Sequence, residues 1–262
     1  MQIWQAIVLG AVQGFAEFLP VSSSGHLILL GRWLGVTEGG LFFDVMLHIG
    51  TLVPVFIVFF KDIFGLFKKP YNKLLYLIIA SIPAALTGFL LGDIVEGAFY
   101  QGSILSACLL AGTFLLTAGE LFLSEIISKK SEKSLPLGLK NATIMGLAQG
   151  VAIVPGLSRS GTVLSSGCFA GVKRSENASF TFLMSIPVIL GAALVSGYKV
   201  VKSGVVVDAL PLVFGVLTAM VTGYIAIKVM LKVIKKANYK WFSLYLVIMA
   251  LSSIISKVAF GV

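Results

Sequence analysis

Two apolar stretches of this chain, 3–34 and 140–172, are broken near their middles, at LPVSSSG (19–25) and at VPGLSRSG (154–161). Each half is about 14 residues, or about 21 Å of helix, which falls short of a hydrocarbon core of about 30 Å. Pro20 and Pro155 each remove a backbone donor, and the neighbouring glycines permit a sharp turn. The simplest fold for such a stretch is a re-entrant helical hairpin. Irregular backbone at that depth is tolerated only where protein or a polar cavity surrounds it.

The two stretches are copies. Laid on 142–172 without gaps, residues 6–36 match at 11 of 31 positions, among them Gln13/Gln149, Gly14/Gly150, Ser22/Ser158, Ser24/Ser160 and Gly25/Gly161. Further on, Thr87-Gly88-Phe89 echoes Thr222-Gly223-Tyr224 at nearly the same offset. Six uninterrupted segments, 41–60, 74–91, 104–124, 180–198, 206–230 and 241–259, are long and apolar enough to cross a bilayer. Each copy is therefore one hairpin plus three spans, 1–128 and then 136–262, within a single membrane domain. The fold class is all-α and integral to the membrane. An odd number of crossings per copy turns the second copy upside down, the inverted-topology repeat of membrane transporters.

Composition agrees: 58% of residues are hydrophobic and 12% charged, against about 25% charged in a soluble domain. The net charge of +9 would suggest nucleic acid only if the bases formed a patch, and they sit instead in short clusters between apolar segments. Lys61, Lys68, Lys69, Lys73, Lys129, Lys130, Lys133, Lys140, Lys173, Arg174, Lys228, Lys232, Lys235, Lys236 and Lys240 fall on one side of the six-span arrangement. Only Arg32, Lys199, Lys202 and Lys257 fall on the other. The positive-inside rule makes the crowded side cytoplasmic. Both termini and the first hairpin then face outward, the second hairpin enters from the cytoplasm, and the two polar turns can meet near the midplane. MQIWQAIVLG has no basic n-region, so no cleaved signal peptide is expected. Cys108 and Cys168 lie in apolar surroundings and are expected to pack rather than pair.

The differences between the copies carry the chemistry. Where the first has Glu17, Ser23 and His26, the second has Ile153, Arg159 and Thr162. An arginine at the centre of a bilayer costs about 2.5–3.5 kcal/mol on insertion scales and needs an anionic partner. That partner is either Glu17, in a structural ion pair, or phosphate oxygens, whose geometry the guanidinium fork fits. Helix N-termini after each turn would add N–H groups aimed at an anion. Glu17, with Gln13 one turn earlier, reads as a ligand for Mg²⁺ or Ca²⁺ or as a general base; a counter-ion or capping acceptor is the plainer alternative. His26, three residues after Ser23, could be the base of a hydroxyl–imidazole pair, an acid for the leaving group, or a positioning group. Ser22 and Ser24 could serve as N-caps alone. His48 is expected to be a packed core residue, Glu120 to snorkel towards a segment end, and Asp93, Glu96, Glu125 and Glu132 to occupy loops or ends.

QGFAEFLPVSSSGH (13–26) and PGLSRSGT (155–162) resemble the undecaprenyl-diphosphatase, or bacitracin-resistance, family. The likeness extends to DVMLHIGTL (44–52), SFTFLMSIPVILG (179–191) and the chain length. It implies a multi-pass enzyme of the bacterial inner membrane that removes the terminal phosphate of undecaprenyl diphosphate, regenerating the lipid carrier of cell-wall synthesis and giving bacitracin tolerance. It implies an active site opening to the extracytoplasmic face, with membrane lipids around it; no nucleic acid is expected as a partner, a homodimer is entertained, and the sequence leaves the oligomeric state open. Carried over by position, Glu17 with Gln13 matches the metal-associated motif, whose first acidic place is taken here by Gln13. Ser22, Ser23 and His26 match the catalytic turn. Ser158, Arg159 and Ser160 match the phosphate-binding turn, with Gly156, Gly161 and Thr162 beside them. The rival reading from another class is a polyprenyl-phosphate flippase or anion transporter, which needs the anion cradle but not the Ser, His and Glu set.

Overall fold

The computed structural model describes residues 1–36, 40–130, 135–203, 208–236 and 238–261, and among these the chain forms twelve helices. Glu132 and Lys133, which the sequence assigns to a loop, lie outside the described residues. The first broken stretch folds as α1 (Ile3–Phe18) and α2 (Ser23–Trp33), the second as α7 (Leu139–Val151) and α8 (Arg159–Phe169). Both are helix–turn–helix hairpins, with turns where the sequence places Pro20 and Pro155.

Between the hairpins run α3 (Gly40–Val58), α4 (Phe60–Leu66), α5 (Asn72–Tyr100) and α6 (Ile104–Lys130). After the second come α9 (Arg174–Leu183), α10 (Ser185–Ser203), α11 (Ala209–Lys236) and α12 (Lys240–Phe260). Among the described residues five segments are long and apolar enough to cross a membrane: Asn72–Tyr100, Ile104–Ser128, Arg174–Lys202, Ala209–Ile234 and Lys240–Phe260. Phe42–Val58 and Phe60–Leu66 pass the same test only as a pair, bent by 84° between them. The sequence treats 41–60 as a straight span; the chain turns at Phe59 instead, just before Lys61 and Asp62 end the apolar run. The side chains turned outward are those of a lipid-facing surface: Val201 is 83% exposed and Leu194 76%.

The helices pair across the duplication. α1 packs along α11 and α7 along α5, so each hairpin lies against a long span of the other repeat, while α6 packs on α12. This interlocking fits two inverted copies. Small residues make it close, as is usual between helices in lipid. A methyl on Gly10 would lie 2.2 Å from the Gly215 carbonyl oxygen, and one on Gly146 would lie 2.6 Å from Ala80 Cα. Backbone cannot swing aside, so Gly10→Ala must part α1 from α11. The expected cost is about 1–3 kcal/mol, the range of overpacked cores. It should appear as a lowered thermal midpoint in detergent, while Gly31→Ala, whose methyl would meet nothing within 4 Å, should leave the midpoint unlowered.

Candidate active site

Each hairpin turn is finished by a serine. Ser22 caps α2 by accepting from Gly25 N at 3.3 Å, and Ser158 caps α8 by accepting from Gly161 N at 3.1 Å. Ser22 holds φ at 68°, the only positive φ at a non-glycine residue among the described ones. That conformation costs about 1–3 kcal/mol and persists only where its surroundings enforce it. It sets the direction in which Ser23, the next residue, leaves the turn. The two tips touch: a methyl on Gly25 would lie 3.0 Å from Gly156 Cα, and Ser160 Oγ donates to the Leu19 carbonyl at 3.3 Å.

Glu17, buried at the end of α1, is the hub. Arg159 donates through Nη2 to its Oε1. Its Oε2 accepts from Ser23 Oγ at 2.8 Å and from Gln13 Nε2 at 2.9 Å, with His48 Nε2 at 3.2 Å. One carboxylate thus joins both hairpins and α3. The ion pair satisfies the buried guanidinium only in part, because Arg159 Nη1 is buried without a hydrogen-bond partner among the described residues. Gln13 Oε1 is likewise buried and unpartnered.

Glu17, Ser23, Ser24, Ser158, Arg159 and Ser160 open onto one cavity of about 1270 Å³ between α3, α4, α5 and α10. It is lined along α5 from Leu74 to Tyr100, a run of about 39 Å at 1.5 Å per residue, longer than the hydrocarbon core is thick. Its walls are mostly apolar, with Phe56, Ile78, Ile82, Ile186 and Leu190 among them. At the end that the loop charges place outside, Lys199 pairs with Asp93 at 2.5 Å and Glu96 at 3.8 Å, joining α10 to α5.

Gln13, Ser22, His26, Gly156, Gly161 and Thr162 do not line this cavity. His26 does not meet Ser23. Its Nδ1 bonds the Ser22 carbonyl at 2.7 Å and its Nε2 meets the Tyr245 hydroxyl at 2.6 Å. The three-residue spacing makes the two side chains neighbours on α2, yet each is taken by a different partner, Ser23 by Glu17 and His26 by Tyr245. Glu120 does not snorkel: Thr162 Oγ1 donates to its carboxylate at 2.7 Å. Glu125 is buried and accepts from the backbone N–H groups of Tyr239 and Lys240, each at 2.6 Å, at the start of α12. Cys108 and Cys168 are both free thiols, Cys108 exposed and Cys168 buried.

His48 is the residue that sequence reasoning misses. It lines the cavity, with Nδ1 donating to the Asp44 carbonyl at 2.7 Å. Asp44 itself accepts from the Tyr100 hydroxyl at 3.0 Å. The available signal is the helical spacing of Asp44, His48 and Thr51 in an otherwise apolar run. Replacing His48 by alanine removes a neighbour that orients Glu17 and is expected to lower kcat about tenfold. His48→Gln, which keeps a polar group facing the carboxylate, should recover most of that loss in the same turnover measurement.

A family profile described as bacitracin resistance protein BacA matches residues 6–252. An undecaprenyl-diphosphatase of Carboxydothermus hydrogenoformans is 40% identical over 264 residues, covering 99% of each chain. One of Thermodesulfovibrio yellowstonii is 36% identical, covering 92% of this chain and 94% of its own. One of Methanosphaera stadtmanae is 38% identical, covering 98% and 99%. Likeness over nearly the whole length, in a chain whose two polar turns meet in one cavity, settles the kinship: this protein belongs to the BacA, bacitracin-resistance, family.

Proposed function

We propose that the protein is an undecaprenyl-diphosphate phosphatase of the bacterial inner membrane, entered by the diphosphate from the extracytoplasmic side. The observation that carries this is the cavity's pairing of a guanidinium holding one unpartnered buried nitrogen with a serine hydroxyl already bonded to a carboxylate. An anion binder needs the first; only a reaction needs the second, which is why a flippase or transporter is the weaker reading. The cavity's polar outer end supports entry from that face, and its apolar length suits an isoprenoid tail.

The terminal phosphate of the substrate takes Arg159 Nη1 and the hydroxyls of Ser158 and Ser160, which stand at the N-terminus of α8. Phosphoryl transfer depends mainly on this positioning and charge stabilisation. Ser23 Oγ attacks the terminal phosphorus, the bond to the bridging oxygen breaks, and undecaprenyl phosphate leaves. The Ser23 proton passes to Glu17 Oε2, which already accepts its hydrogen bond. Water then attacks the phosphoserine, Glu17 returns the proton to Ser23, and orthophosphate departs. Engagement of Arg159 with phosphate releases Glu17 from part of its ion pair and leaves the carboxylate free to act as base.

Among the described residues no group of three or more His, Cys, Asp or Glu side chains is disposed to hold a metal ion. The Glu17 carboxylate opens onto the cavity and Gln13 Oε1 is unpartnered, so a hard cation could take both, with its other oxygens from the diphosphate, once Gln13 turns its amide oxygen in place of Nε2 towards Glu17. Glu17 and Gln13 would hold Mg²⁺ or Ca²⁺, which supplies charge neutralisation to the phosphates when bound. Purified protein in detergent, given a polyprenyl diphosphate and Mg²⁺, is expected to release one orthophosphate per lipid, with chelation lowering the rate and Mg²⁺ restoring it. Absence of orthophosphate alongside retained binding of the lipid would replace the phosphatase by the carrier.

A further inference from the structure

His26 and Thr162 occupy the same place in the two copies, in the first turn of α2 and of α8. Neither lines the cavity, both are buried, and each reaches a polar side chain on the central helix pair. His26 meets Tyr245 on α12, by the 2.6 Å hydrogen bond and by rings stacked within 9° of parallel. Thr162 meets Glu120 on α6 at 2.7 Å. α6 and α12 pack on one another, so the two contacts tie opposite hairpins to one common support.

The hydrogen bonds continue inward from each contact to the reacting turn. A carbonyl only accepts, so His26 Nδ1 donates to Ser22 O, and Nε2 accepts a hydrogen bond from the Tyr245 hydroxyl. Ser22 is the residue held at positive φ, immediately before Ser23. On the other side Thr162 N donates to Ser158 O at 2.7 Å, across Arg159, Ser160 and Gly161. α6 holds the same turn at two more points: Thr113 Oγ1 donates to Pro155 O at 2.8 Å, and Thr117 Oγ1 accepts from Ser158 N at 3.0 Å. Thr113, Thr117 and Glu120 stand four and three residues apart, on one face of the helix. A carboxylate inside a membrane helix calls for a function of its own.

We infer that the residue at this shared position is a tether in both hairpins, and that Tyr245 and Glu120 are positioning residues for the phosphoryl transfer proposed above. Tyr245 acts through His26 and Ser22 on the turn that carries Ser23, the attacking group. Glu120 acts through Thr162 on the turn that carries Arg159, the phosphate-holding group. The two tethers therefore act on different kinetic constants. Tyr245→Phe keeps the ring stack, loses the hydroxyl and lowers kcat about tenfold with KM within about twofold. Thr162→Val keeps the volume, loses the donor and raises KM for the diphosphate about tenfold; displacements of this kind act through geometry. Thr162→Ser and Glu120→Gln, which keep a donor and an acceptor, return KM to within about twofold of the unaltered protein.

The experiment is kcat and KM for phosphate release from a polyprenyl diphosphate in detergent, beside thermal midpoints of every variant. A lowered midpoint with kcat and KM unchanged per folded molecule would make both contacts merely structural and overturn the inference. So would Tyr245→Phe and Thr162→Val moving the same constant, or Thr162→Ser failing to rescue. If the valine variant does not accumulate, Thr162→Ala against Thr162→Ser makes the same comparison. Binding of inorganic diphosphate separates this inference from the phosphatase reading: Thr162→Val lowers that affinity and Tyr245→Phe leaves it alone, even in a protein that releases no phosphate.

Discussion

Ser23→Ala should release orthophosphate at least about 10³-fold more slowly than the unaltered protein, with KM for the lipid diphosphate little changed. The size follows from what is removed. Ser23 Oγ is the one hydroxyl among the described residues that is bonded to Glu17, at 2.8 Å, and it opens onto the cavity. Losing a nucleophile together with the proton transfer it engages removes more than the 10²–10⁴-fold typical of acid–base assistance alone. Glu17 keeps Arg159, Gln13 and His48 as neighbours, so the fold should lose only about 1 kcal/mol, the worth of one hydrogen bond. Acid quenching during turnover of a terminally labelled substrate should trap labelled phosphoserine at position 23 in the unaltered protein and none in the variant. Turnover by the variant above about a tenth of normal would instead give the attacking role to a water activated by Glu17.

Much of this site is legible in the sequence because the membrane makes polar residues conspicuous. Pro20, Pro155 and the serines that follow them interrupt apolar runs, and the duplication shows that the interruptions are two halves of one design. Arg159 is legible for the same reason, since a buried guanidinium needs an anion and Glu17 is close enough to the first turn to supply it. Direction around a helix is what the sequence leaves undetermined. Ser23 and His26 lie one turn apart by spacing, yet Ser23 bonds Glu17 at the cavity while His26 bonds Tyr245 on α12. Long-range partners are equally hidden: Tyr245 is 219 residues from His26, and Glu120 is 42 from Thr162. His48 fails for a subtler reason, since a single histidine in an apolar run looks alike whether it packs or lines a cavity. The bend after Val58 is the remaining difference in fold. An apolar count registers where a run ends, not the 84° turn the chain makes there.

Arg159→Lys separates holding the fold from holding the substrate, and the expected loss in kcat/KM is about 10²–10³-fold with little loss of stability. Removing the charge outright would confound the two, because Glu17 is buried and its carboxylate would be left without its cationic partner; breaking a buried pair from one side costs about 3–5 kcal/mol. Lysine keeps a cation beside Glu17. It does not keep the planar fork, in which one nitrogen faces the carboxylate while Nη1 stays unpartnered and buried. A single ammonium must either stay with Glu17 or turn to the phosphate. If it stays, the diphosphate loses its charged donor and KM rises. If it turns, Glu17 is stranded and the transition state is reached at a higher energy. Either way the loss is that of one preorganised donor on the developing charge, about 10²–10³-fold. Kinetics and thermal midpoints measured on the same preparation decide the matter. A lysine variant with near-normal kcat/KM would mean that Arg159 is a counter-ion to Glu17 and no more, and the phosphate would then have to be held by the Ser158 and Ser160 hydroxyls and the N-terminus of α8 alone.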